Sequence, residues 1–88
     1  MKHAGREALD ELEPMLVAIR AVPGLVERQR GIFYRRSKAF LHFHEDPSGL
    51  YADVRLGDEF ERHRVETQAE RRAVLALIGS IPAAHPQG

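Results

Sequence analysis

Between Lys38 and Leu56 apolar and polar residues alternate on both sides of a short polar break: Lys-Ala-Phe-Leu-His-Phe-His, then Glu-Asp-Pro-Ser-Gly, then Leu-Tyr-Ala-Asp-Val-Arg-Leu. Period-2 alternation around a cluster of turn formers predicts a β-hairpin. Ala39, Leu41 and Phe43 share one face of it with Leu50, Ala52, Val54 and Leu56, and this apolar face is expected to meet helices. Phe40, His42 and His44 share the reverse face with Tyr51, Asp53 and Arg55. Two registers keep partners on a common face: His42 opposite Asp53 with His44 opposite Tyr51, or His42 opposite Tyr51 with Phe40 opposite Asp53.

The flanking segments supply cover and extension for this hairpin. Leu9, Leu12, Leu16 and Ile19 recur at spacings of three, four and three, the apolar stripe of an amphipathic helix. Pro14 interrupts the stripe without shifting its phase, so a single helix kinked there is expected, ended by Pro23-Gly24. Leu25 to Gln29 and Ile32 to Arg35 read as strands joined at Arg30-Gly31. A two-residue turn at Arg36-Ser37 would set Arg35 opposite Lys38, Tyr34 opposite Ala39, Phe33 opposite Phe40 and Ile32 opposite Leu41, although primed turns prefer Asn-Gly. Gly57-Asp58 is a further turn, and Phe60 to Val65 a last strand with His63 at the sheet edge. Thr67 and Glu70 form a capping box opening a helix from Gln68 to about Ile78, with Ala69, Ala73, Val74, Leu77 and Ile78 on its buried face and Gly79 past its end. Residues 1–5 and 82–88 are expected to fray.

Helix, four to five antiparallel strands and helix make a single α+β domain spanning 1–88. A two-layer sandwich is predicted, with the N- and C-terminal helices packed on one sheet face and the other face open.

Composition narrows the function classes. A chain of 88 residues buries only about 60 to 65% of its unfolded surface. Thirteen basic residues balance thirteen acidic ones, so no global field draws the chain to nucleic acid or to an anionic membrane. Cysteine is absent, which excludes disulfides and thiolate metal sites. No apolar run approaches the roughly 18 residues of a membrane span, and the amino terminus lacks the apolar core of a secretory signal. These features are those of a soluble cytoplasmic protein with no membrane partner.

The run Val22-Pro23-Gly24-Leu25-Val26-Glu27-Arg28, followed by a strand pair and Lys38-Ala39-Phe40-Leu41-His42-Phe43-His44, resembles the small bacterial YjbR-like domains and related luciferase-associated domains of unknown function. The resemblance covers roughly Val22 to Leu56. It implies a frataxin-type α/β sandwich and brings with it the suggestion of DNA binding through paired sheet wings. It carries over no catalytic residues.

Three kinds of site are open on the residues alone. His42 and His44, two apart on one strand, project from one face about 7 Å apart and can ligate a divalent metal or a small ligand, with Asp53 as an oxygen ligand, Tyr51 beside them and His63 completing a set if its strand pairs nearby. Phe33, Phe40, Tyr51 and Arg55 on the open face make an apolar patch suited to a homodimer. Arg28, Arg30, Arg35, Arg36 and Lys38, interleaved with Ile32, Phe33 and Tyr34, form a basic hairpin over 28–38 that can grip phosphates and stack a base. Catalysis is not expected, since no nucleophile sits in a recognisable motif, and no cofactor is called for. The leading expectation is a binding or interaction module that self-associates through the open face. The alternatives are a metal or small-ligand site at His42, His44, Asp53 and Tyr51, then nucleic-acid binding by the basic hairpin.

Overall fold

The computed structural model describes residues 1–81. Its elements in chain order are β1 (Lys2–His3), α1 (Arg6–Arg20), β2 (Leu25–Gln29), β3 (Ile32–Arg35), β4 (Lys38–Asp46), β5 (Gly49–Arg55), β6 (Phe60–Arg64) and α2 (Gln68–Ser80). The strands form one antiparallel sheet in the order β2-β3-β4-β5-β6, with β1 also paired to β4. The α+β layered architecture is thus the expected one, with a sixth strand added. No described helix is long and apolar enough to cross a membrane.

The sixth strand fills a gap in hydrogen bonding. Nine-residue β4 outruns β3, whose pairing with it stops at Leu41. Lys2 and His3 take over that edge opposite Glu45 and His44. Ala4 N donates to Phe43 O at 3.0 Å, and Gly5 N donates to the Glu45 carboxylate at 2.6 Å. Part of the segment expected to fray is therefore a strand. The expected fraying of 82–88 lies outside the described residues.

Helix α1 runs through Pro14, which faces solvent and so costs one hydrogen bond without disturbing the packed side. Ala8, Leu12, Met15, Leu16 and Ile19 are buried against the sheet. In α2 the capping box forms, with Thr67 Oγ1 accepting from Glu70 N and the Glu70 side chain accepting from Thr67 N. Its buried face differs from the expected one: Arg71, Val74 and Ile78 are buried, whereas Ala69 and Ala73 are exposed. Buried Arg71 explains the rotation. It donates to Val65 O at 2.7 Å, to Glu66 O at 3.1 Å and to Glu11 of α1 at 2.8 Å, tying α2 to the end of the sheet and to α1. Gly79 falls inside α2 rather than beyond it.

The central hairpin takes the first of the two registers, with Leu41 opposite Val54, His42 opposite Asp53, Phe43 opposite Ala52 and His44 opposite Tyr51. Between β3 and β4 the expected pairing holds for Arg35 with Lys38 and Tyr34 with Ala39, then slips, so that Phe33 pairs with Leu41. Phe40 is the extra residue of a β-bulge. A bulge turns two consecutive side chains toward one side of the sheet, and Phe40 and Leu41 are both in the core, at 3% and 0% exposure. Phe33 follows Leu41 into it at 1%.

The Arg36-Ser37 turn does form, with φ of 54° and 69°. Both values lie in the left-handed region that a type I′ hairpin turn requires and that L-residues with side chains resist. Ser37→Gly is therefore expected to raise unfolding stability by about 0.5–1 kcal/mol, the relieved strain exceeding the added freedom of the unfolded chain. Urea denaturation compared with the parent protein checks this, and an unchanged or lower midpoint would count against the turn geometry.

A histidine cluster on the open sheet face

Residues at positions 42 and 44 of β4 point away from the helices because 41 and 43 point toward them. Pairing of β1 with β4 then sets His3 directly opposite His44. One ring nitrogen from each of His3, His42 and His44 lies within 4.8 Å of one from each of the others. The His3 and His44 rings approach with centroids 4.6 Å apart, and His42 stands edge-on to both, at 5.5 and 5.0 Å. Nδ1 of His42 and Nε2 of His44 are 3.0 Å apart.

Behind this cluster lies a clamped carboxylate. Arg62, on β6 opposite Asp53, donates through Nε and Nη2 to the two Asp53 oxygens at 2.7 and 2.8 Å. That bidentate pairing is the strong form of an Arg–carboxylate bond. It holds the Asp53 carboxyl below the usual carboxylate range, against the opposing effect of burial. Asp53 Oδ2 also lies 3.3 Å from His44 Nε2. A carboxylate at that distance favours the tautomer with its proton on Nε2. Nδ1 of His44 is buried and has no hydrogen-bond partner among the described residues.

Burial pulls the pKa of both His42 and His44 below the ordinary imidazole value, outweighing the attraction of Asp53. Both rings are therefore neutral at pH 7, the form that binds metals. Phe60 packs on His42 with centroids 4.8 Å apart, and its ring carries the Arg55 guanidinium at 4.5 Å.

The sequence-derived set is thus redistributed. His42, His44 and Asp53 come together, but Asp53 serves Arg62 and orients His44. Tyr51 turns aside: its hydroxyl lies 2.7 Å from Ser48 Oγ, which in turn donates to Asp46 within the hairpin turn. His63 pairs with Ala52 and so projects from the helix-bearing face, with Glu61 at 3.5 Å as its neighbour; it cannot complete the cluster. Phe33 and Phe40, expected on the open face, are core residues for the reason given by the bulge, and only Tyr51 and Arg55 of that expected interface remain there. His3, Arg62 and Phe60 were missed. A two-residue strand has no periodicity to read, and Arg62 becomes visible only once β6 is placed in register with β5.

Comparison with protein-family models, curated proteins and solved structures returns no match to this chain. The geometry alone carries the functional reading.

Acid should act on the folded state through these rings. Because the folded pKa values of His42 and His44 lie below the 6.5 of an unperturbed imidazole, the unfolded chain takes up protons first as pH falls. Their contribution leaves stability level at high pH and lowers it from near pH 7 down to the folded pKa values. Denaturant midpoints measured across pH 8 to 5 should show this fall, and His42→Gln should make it shallower; an equal slope in the variant would contradict it.

Proposed function

We propose that the protein is a divalent transition-metal-binding module whose ligands are His3, His42 and His44. The observation that carries this reading is the convergence of three imidazoles, two of them neutral through burial, at ring-nitrogen separations within 4.8 Å. Around a tetrahedral ion at about 2.05 Å, ligand nitrogens stand about 3.3 Å apart. The ring nitrogens of His3, His42 and His44 already lie within 4.8 Å of one another, so binding needs ring rotations and an adjustment of the short terminal strand.

The surroundings favour the same reading. Metal-bound imidazoles commonly donate their second N–H to a carboxylate that fixes the ring, the relation Asp53 bears to His44. Arg62 occupies both Asp53 oxygens, so the carboxylate is an orienting group rather than a fourth ligand. An all-imidazole set suits zinc, nickel or copper better than magnesium or calcium, which take oxygen. With three protein ligands, further coordination positions stay open to water or a small molecule. Self-association through this face has lost its two phenylalanine anchors to the core, so the metal reading takes precedence over it.

Calorimetric titration of untagged protein with zinc or nickel chloride at pH 7.5 is expected to give one equivalent of binding and a raised melting temperature. His3→Ala and His42→Ala should each weaken it at least tenfold, as should lowering the pH below about 6, while His63→Ala leaves it unchanged. No stoichiometric binding at millimolar metal, or full affinity in His42→Ala, would sink the reading.

A further inference from the structure

A second concave region opens at one end of the sheet, where the β3–β4 turn meets the connection between β5 and β6. Arg35, Arg36, Lys38 and Arg55 line it, with Leu56 as part of its apolar wall and Asp58 as the single acidic lining residue. Its volume is about 610 Å³, within the range of small-molecule sites.

The charge here stands out against a chain that is neutral overall. Arg20, Arg30, Arg62, Arg64 and Arg71 are each ion-paired with carboxylates. Arg36, Lys38 and Arg55 enter no ion pair with a described residue. Arg55 is nonetheless held still: Nε donates to Ala39 O at 2.8 Å, Nη1 donates to Asp58 O at 3.1 Å, and the guanidinium lies on the Phe60 ring. Carbonyls and an aromatic face orient this cation without neutralising it. An oriented, uncompensated guanidinium is a ready partner for phosphate oxygens.

The turn itself points the same way. Arg36 and Ser37 both occupy left-handed backbone conformations, where Asn-Gly would sit without strain. A strained conformation kept at a charged rim is an observation that motivates a functional reading. It places Arg36 at the turn tip and Lys38 just beyond it, in the lining that also holds Arg55.

We propose that this cleft binds a phosphate-bearing small molecule, with Arg36, Lys38 and Arg55 holding the phosphate oxygens and Leu56 against its apolar part. A concavity confined to one end of the sheet favours such a ligand over a nucleic-acid strand, which tracks an extended basic groove. The site shares no lining residue with the histidine cluster, Phe60 lying between Arg55 and His42, and its ligand chemistry is independent of metal binding there.

Inorganic pyrophosphate is the probe, added at low ionic strength to protein first passed over a chelating resin and followed by amide chemical shifts. Saturable shifts centred on residues 35–39 and 55–58, weakening with added salt, are expected. Arg36→Asn keeps a residue that tolerates the turn backbone while removing the charge; combined with Lys38→Gln it should lower affinity about tenfold or more with melting temperature maintained. His3→Ala, which disrupts the imidazole cluster without touching Phe60, should leave pyrophosphate binding intact. The proposal is overturned by an absence of saturable shifts at millimolar pyrophosphate, by unchanged affinity in the double variant, or by loss of binding in His3→Ala. It is equally overturned if a single-stranded oligonucleotide binds more tightly than pyrophosphate with shifts spread along β2 and β3, which would mark a nucleic-acid surface.

Discussion

One extra residue in β4 decides how this small protein divides core from surface. With regular pairing, Phe40 would share a face with His42 and His44. The bulge instead sends Phe40 and Leu41 together into the helix-covered side and brings Phe33 in opposite Leu41. Two phenylalanines are thereby added to a core that 88 residues can barely furnish. With Phe40 removed from the open side, the aromatic neighbour of His42 there is Phe60.

A second constraint is the unequal length of neighbouring strands. Since β4 extends past the end of β3, its distal edge would present bare amide and carbonyl groups. The amino-terminal segment satisfies them, and this backbone requirement carries His3 to His44. The histidine cluster is thus partly a by-product of edge pairing. Its imidazoles come from segments about forty residues apart in sequence, held by the Glu45 contact to Gly5 as well as by the strand bonds.

Charge is sorted as carefully as apolar surface. On the helix side, Arg20 and Arg30 bridge Glu13 to Glu27 and Asp10, joining α1 to the β2–β3 hairpin. Gly31 turns that hairpin with φ of 82°, and a Cβ there would come within 2.8 Å of Leu9, so the close approach to α1 depends on glycine. Surface pairs of this kind contribute little each, yet they consume the carboxylates nearby. At the opposite end of the sheet Arg55 is oriented by two carbonyls and the Phe60 ring with no carboxylate partner among the described residues.

Much of the fold was legible because its signals are local. Period-2 alternation marked the central hairpin, the Thr67–Glu70 spacing marked the start of α2, and the in-phase stripe of Leu9, Leu12, Leu16 and Ile19 carried α1 through Pro14. The same alternation put His42, His44 and Asp53 on one face. Other features arise from pairing between distant segments, which no local period encodes. The Phe40 bulge, the edge strand that delivers His3, the fork of Arg62 on Asp53 and the burial of Arg71 each depend on which backbone groups would otherwise lack partners. The sequence by itself determined the layers and the polarity of the central strands, because burial of alternate side chains allows no other arrangement. Only the tertiary structure decided that two histidines become three, that Asp53 is held by Arg62 beside His44, and that Phe33 and Phe40 belong to the core, because those outcomes follow from pairing across the sheet.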